Sequence, residues 1–249
     1  MGKIGRLFII LSALFFFNSC DKENAPECFQ STGEVDSLVY NPAEEVLEII
    51  LNDNIGIHLS NSDSDESSFS LSGGKNLLND ISFEIENGVL TISNENKCNW
   101  TRKYSDFTLQ IESNSLQRIY NYGSKGLIME DFNSSDFTFE QESSLADNYL
   151  NFTGERLVVN FHSSAGFAEL KGSADNLFLY TNGISSIDAS GISSPSISAN
   201  NSGRTNLITA PTAFMFAYIG GSGSIVHNNL SANITTEIVG SGVLEYANY

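Results

Sequence analysis

The side chains able to do chemistry are few and far apart. His58, His162 and His227 are the three histidines of the 249-residue chain, and none opens a spacing in which a second metal ligand follows. Zinc sites draw nitrogen and sulfur ligands in close pairs, so these residues read as ordinary strand positions. Asp63-Ser64-Asp65-Glu66 offers the hard oxygens that calcium takes, but lacks the spacing and the glycine of a calcium loop, so a solvated loop and a cation site both stay open. Arg118, Lys125, Arg156, Lys171 and Arg204 are the cations that a lyase acting on acidic polysaccharide would have to gather into one groove with carboxylates and calcium. They fall at scattered phases of the repeat described below, which argues against such a groove. The Gly-Ser-Gly segments sit between apolar runs rather than beside a histidine and an acid, so their serines read as structural. Cys28 and Cys98 likewise have no convincing histidine partner. The expectation is a chain with no catalytic residue, no cofactor and no metal.

The third cysteine suggests different chemistry. Lys3 and Arg6 precede an apolar run over residues 7–17, which ends in Phe17-Asn18-Ser19-Cys20. Cations, a short apolar run and a small residue form the layout of an export signal. A spanning helix needs roughly twenty apolar residues, and this run stops well short. A cysteine directly after the small residue resembles a lipobox, with Asn18 and Phe17 departing from the commonest pattern; residues 1–19 are then the leader and Cys20 the lipidated residue. Several acyl chains, each methylene contributing about 0.8 kcal/mol on burial, make a stable membrane anchor where one chain is marginal. Residues 20–34 form a polar tether whose acidic start, Asp21-Lys22-Glu23, resembles the surface-export signals of Bacteroidota lipoproteins and reads equally as a solvated linker. In an oxidising envelope Cys28 and Cys98 suggest one disulfide, with free thiols as the alternative. Closing a loop of about seventy residues would stabilise by about 4 kcal/mol in the chain-entropy account.

Charge narrows the partners. Thirty acidic against 12 basic residues give a formal charge of −18, and loss of Lys3 and Arg6 with the leader makes the remainder more acidic still. Such a surface repels phosphate backbones and anionic lipid, so no nucleic-acid partner is expected.

What must position any site is a repeat. From residue 121 onward, short apolar runs alternate with clusters such as Tyr122-Gly123-Ser124, Ser163-Ser164-Ala165-Gly166, Asn201-Ser202-Gly203, Gly221-Ser222-Gly223 and Gly240-Ser241-Gly242, about twenty residues apart. Phe137, Leu157, Leu177 and Ile197 keep that step, and Phe139, Val159, Leu179 and Ala199 follow two places behind. A spacing of two puts both columns on one face of a strand. Phe167, Ile187 and Leu207 suggest a further column, continued after a slip of register by Phe214, Phe216, Ile225, Ile234, Ile238 and Val243. Equivalent residues stacked coil upon coil bury like on like, and the corners invite glycine or asparagine at positive φ. An antiparallel sandwich also predicts alternating strands, but not columns in register at twenty.

The segment over residues 35–120 reads as less regular β coils, ahead of regular repeats over 121–249. Leu47 to Leu51 and Ile55 to Leu59 flank Asn52-Asp53-Asn54 as apparent hairpin partners, and Asn87-Gly88 is the strongest hairpin turn in the chain. Asn41-Pro42-Ala43-Glu44-Glu45 could open a short helix, and Lys75-Asn76-Leu77-Leu78-Asn79 a single helical turn.

Asn76-Leu77-Leu78, then Asn87-Gly88-Val89-Leu90-Thr91-Ile92, then Leu116-Gln117-Arg118-Ile119 before Gly123-Ser124, and the terminal Gly240-Ser241-Gly242-Val243-Leu244-Glu245-Tyr246 carry a family resemblance. In order and spacing they resemble the auto-transporter adhesin family with the head GIN domain, over about residues 35–249. Cys28 with Cys98-Asn99-Trp100 resembles a lipoprotein branch of that family in Bacteroidota. The resemblance implies an all-β, right-handed single-stranded β-helix (a β-solenoid) in the cell envelope, with adhesion as its role. The sequence thus supports a non-enzymatic lipoprotein of the outer membrane, periplasmic or surface-exposed, that binds a glycan or protein through small polar side chains. The alternatives are a self-associating structural protein whose solenoid ends stack and, less favoured, a lyase-like β-helix.

Overall fold

The computed structural model describes residues 31–97 and 106–247. Cys20, Cys28 and Cys98, with the lipidation and the disulfide expected of them, lie outside the described residues, as does the leader. The N-terminal part comprises β1 (Val35–Tyr40), β2 (Glu48–Leu51), β3 (Ile55–Ser60), β4 (Ser68–Gly74), a single helical turn α1 (Lys75–Leu78), β5 (Ile81–Glu86), β6 (Val89–Asn94), β7 (Phe107–Glu112) and β8 (Arg118–Asn121). Then follow β9 (Leu127–Glu142), β10 (Asp147–Ser164), β11 (Phe167–Gly183), β12 (Ser186–Asn201), β13 (Leu207–Ile219), β14 (Ile225–His227), β15 (Asn233–Ile238) and β16 (Leu244–Tyr246). Together they form a β-solenoid of about six turns, with equivalent positions roughly 20 residues apart.

The repeat works as the apolar columns require. Strands β9 to β13 pair in parallel, and Phe137, Leu157, Leu177 and Ile197 are direct neighbours in that order, as are Phe139, Val159, Leu179 and Ala199. All eight are buried. Each fully buried large apolar side chain contributes about 1.5–3 kcal/mol, but only once the coils above and below exclude water from it.

Two details of the columns differ from the sequence expectation. The further column runs Ala168, Ile187, Leu207, Ile225 and Leu244, not through Phe167, because β11 and β12 pair Phe167 with Ser186. Phe167 is only half-buried while Ala168 is fully so. In β13 the slip brings Met215 and Ala217 under Ile197 and Ala199, which turns Phe214 and Phe216 outward. The step between coils changes from 20 residues at Ala189 to 18 at Ser196; a change of two keeps the alternation of faces, so Met215 and Ala217 continue the core columns and the larger rings stay outside.

Gly183 takes the positive φ expected of a corner glycine, but the other corner glycines have a different reason. Positive φ falls at Asp53, Ser143, Ser163 and Gly183 among the corners, not at Gly203, Gly221, Gly223, Gly240 or Gly242. At Gly221 an added Cβ would land on the carbonyl oxygen of Gly203 in the coil below, and at Gly240 on that of Gly221. The glycines are there because backbones stack closely at this edge. The amides of Ser222 and Gly223 both donate to the Gly203 carbonyl, at 3.0 and 3.1 Å, continuing the ladder around the corner.

Just before each corner an inward residue is often polar. Asn121, Gln141, Phe161, Thr181, Asn201 and Ile219 form one column, all buried. Asn201 accepts from the Gly203 amide at 3.0 Å and donates to the carbonyls of Thr205 and Ser224, both at 2.9 Å. Asn121 repeats this with Gly123 and Lys125. A buried amide satisfied on every side pins the turn instead of destabilising it.

The N-terminal part is threaded out of order. β2 lies between β6 and β8, and β3 between β7 and β9, all in parallel. β2 and β3 are therefore successive sides of one coil around Asp53, not hairpin partners. The antiparallel strands β4 on β7, β1 on β4 and β5 on β6 close this end. Asn87 and Gly88 make the β5–β6 turn, with φ of 54° and 78°, as the primed hairpin turn demands. The α1 turn forms as expected and buries Leu77 and Leu78, while residues 41–45 are irregular, not helical.

Candidate binding face

The residues singled out for chemistry do not converge. His58 lies on the outside of β3 between Gln110 and Ile128. His227 is buried in β14, with Nδ1 3.1 Å from the Asn229 carbonyl. His162 lies near the end of β10, 3.5 Å from a Glu140 carboxylate oxygen. Among the described residues no group of three or more His, Cys, Asp or Glu side chains is arranged to hold a metal. Four of the five cations are tied to separate acids: Arg118 to Glu48 at 3.2 Å, and Lys125 to Asp106, Arg156 to Asp136 and Lys171 to Glu169, each at 2.7 Å. The carboxylate of Glu169, through its hydrogen bond and its charge, holds the exposed Lys171 ammonium above the usual lysine range. Arg204 is exposed.

The loop Asp63-Ser64-Asp65-Glu66 is brought toward Glu44 and Glu45, and its Asp65 and Glu66 line a cleft of about 400 Å³ with those two and Asn41, Pro42 and Val46. The loop is shaped by its own serines and by Asn114, whose amide donates to the carbonyls of Ser62 and Ser64. Asp63, Asp65 and Glu66 are exposed.

A different feature stands out on the strand side that carries the first two apolar columns inward. Its outward positions stack just as regularly. One column is Thr138, Val158, Phe178, Ser198, Phe216 and Thr235; the next is Tyr120, Glu140, Asn160, Tyr180, Asn200, Tyr218 and Glu237. Phe178, Phe214 and Phe216 are 39%, 60% and 43% exposed, and Tyr120, Tyr180 and Tyr218 are half-buried. The surface expected to be small and polar is thus small and polar only in part.

Three of these rings, Phe178, Tyr180 and Tyr120, are held in place. The Arg156 guanidinium, fixed by Asp136, lies 5.2 Å from the centre of the Phe178 ring. The His162 ring lies 5.0 Å from that of Tyr180, whose hydroxyl accepts from Asn182 at 2.8 Å. Both supports come from the β10 side or the corner, so each ring leans on its neighbour there. Arg118 does the same for Tyr120 at 5.5 Å. Sequence reading places Phe214 and Phe216 in the inward column and does not single out Phe178, Tyr120, Tyr180 and Tyr218, because it matches only inward positions to the repeat. The signal was available one position after each core column, where the same period of twenty applies.

The fold and this face can be set beside known proteins. The family described as "putative auto-transporter adhesin, head GIN domain" matches residues 47–230. The chain belongs to this family. Its solved structural relatives include a putative adhesin of Bacteroides fragilis, with a TM-score of 0.76 at 17% identity over 86% of this chain and 97% of that one. A putative adhesin of Parabacteroides merdae gives 0.65 at 16%, over 87% and 98%. A putative lipid binding protein of Parabacteroides distasonis gives 0.64 at 18%, over 87% and 98%. At these identities the likeness concerns the fold. No curated protein matches the sequence. Membership of the head GIN family suggests a cell-envelope or surface location and a role other than catalysis.

Proposed function

We propose that this head GIN protein is a non-enzymatic envelope lipoprotein, anchored in the outer membrane through Cys20, whose solenoid serves as a rigid support for a binding face. The observation that carries this reading is the outward ladder on β11 to β13, where Phe178, Phe214 and Phe216 are exposed and Phe178 and Tyr180 are braced by Arg156 and His162. Rings that are exposed and already ordered lose little freedom on binding, which is what a recognition surface needs. The anchor is tested by labelling cells with radioactive palmitate: the wild-type chain takes up label and Cys20→Ser does not. Adhesion is tested by retention of the purified protein on immobilised glycans and matrix proteins; retention on none of them overturns the reading.

A second reading, self-association, is favoured by the C-terminal end. Among the described residues β15 pairs only with β13 and β16 only with β14, and Ile238, Val239 and Val243 are 48%, 63% and 49% exposed. An open strand edge with apolar side chains is a template for another chain. Light scattering that stays at the monomer value at high concentration would remove this reading.

A further inference from the structure

We propose that the shallow trough over β12 takes a neutral glycan, whose sugar rings lie between aromatic walls supplied by β11 and β13. The assignment rests on the reading of this protein as a binding module. The walls are Phe178 and Tyr180 on one side and Phe214, Phe216 and Tyr218 on the other. The floor between them is Ser196, Ser198 and Asn200.

The spacing fits. Neighbouring strands are about 4.8 Å apart, so walls two coils apart stand roughly 10 Å from each other. A saturated sugar ring held between two aromatic rings needs two contacts of about 3.5–4.0 Å each, which that gap accommodates with the rings leaning slightly inward. From Phe214 to Tyr218 the trough extends roughly 13 Å along the strand, room for a short oligosaccharide.

The chemistry fits as well. A pyranose presents apolar C–H faces and a polar edge of hydroxyls. Apolar walls with a polar floor are the complement of that shape. The hydroxyls of Ser196 and Ser198 and the amide nitrogen of Asn200 make no hydrogen bond within the described residues; the Asn200 oxygen accepts from Ser202 at 2.8 Å. They are left with donors and acceptors to offer. The supports described above brace the β11 rings from the β10 side, leaving their β12 side to the trough.

Charge and area decide between ligand classes. The floor is uncharged, Arg156 is neutralised by Asp136, and Glu237 stands beside Tyr218 in a chain of net charge −18. Uronic acids, sulfated sugars and phosphates are repelled. The five rings together expose on the order of 400 Å², given 150–250 Å² for a whole aromatic side chain. A stable protein partner needs about 800 Å² on each side, so the patch suits a smaller ligand.

The test uses the full chain, purified in detergent, on an array of neutral hexose and N-acetylhexosamine oligomers with uronic-acid oligomers alongside. Hits are followed by titration calorimetry. Neutral oligomers bind; Phe178→Ala and Phe216→Ala each weaken binding about tenfold, a ratio equal to about 1.4 kcal/mol. Ser198→Trp fills the floor and abolishes binding, while Tyr149→Ala on another side changes nothing. Ser198→Gln, a smaller obstruction, serves if the tryptophan variant fails to fold. Neutral oligomers that bind these trough variants as they bind wild type overturn the trough and leave the binding-module reading in place. Binding of uronic-acid oligomers alone overturns the neutral class. Retention on matrix proteins with no glycan bound overturns the glycan and preserves adhesion; retention on nothing overturns both.

Discussion

The two ends of the solenoid face the same problem and meet it differently. At the N-terminal end α1 and the antiparallel strands β1, β4 and β5 fold across the last coil, so that Leu77, Leu78 and Ile81 are buried and Tyr40 stacks on Phe83 with ring centres 4.7 Å apart. At the C-terminal end the coil of β15 and β16 has nothing over it within the described residues, and Ile234 and Leu244 are only partly covered. Stacked repeats need polar or covering elements at their termini to stay soluble. The contrast shows that covering the core of an end coil takes an interruption of the repeat, since a regular coil always leaves another interface like the one it has just filled; here the cover itself ends in β1, whose Val35, Leu38 and Val39 are exposed.

The comparison can be broken most sharply at the closed end. Leu77→Ala should cost about 2–5 kcal/mol in urea unfolding, because the cavity opens in a fully buried site. The same kind of truncation at the open end, Ile238→Ala, should stay within about 0.5 kcal/mol. Equal losses would show that the two ends are packed alike in solution. Gly221→Ala should cost about 1–3 kcal/mol, since its methyl group meets the Gly203 carbonyl and the coils must part. Asn201→Ala comes next, at about 1–3 kcal/mol, through the Gly203 amide and the Thr205 carbonyl that lose their Asn201 partner, while the Ser224 carbonyl keeps the Leu207 amide. The smallest effect on stability is expected from Ile238→Lys with Val243→Lys, which should abolish any concentration-dependent growth in light scattering. Hydrogen exchange sharpens the picture: amides of β15 and β16 should exchange well before those of β2 and β3, which have a strand on both sides.

Much of this was legible in the residues. The columns at Phe137, Leu157, Leu177 and Ile197 fixed both the strand faces and the parallel stacking, because only a ladder with one coil per repeat brings them together. The Asn87-Gly88 hairpin and the α1 turn were legible for local reasons, namely turn chemistry and a short apolar pair. The exchange of β2 into the middle of the stack was not, because Asn52-Asp53-Asn54 looks the same whether it reverses a hairpin or bends a coil. Register in β13 was missed because Phe214 and Phe216 are more apolar than Met215 and Ala217, and hydrophobicity alone favours the larger rings for the core. The candidate site was hidden for a related reason. An exposed aromatic has no pattern of its own until the inward columns are known, and only then do Phe178 and Phe216 appear as neighbours across a serine.

The out-of-order threading of the first coil bears on how the chain can acquire its shape. Because β2 and β3 are completed only by strands reaching to residue 129, the N-terminal coil cannot close until about the first half of the chain has been made available. Closing it is a long-range event with high loop-closure cost, whereas the coils from β9 to β13 each join a neighbour about twenty residues away at lower cost. The stack of later coils can therefore form on its own, and the threaded end is the slower part to complete.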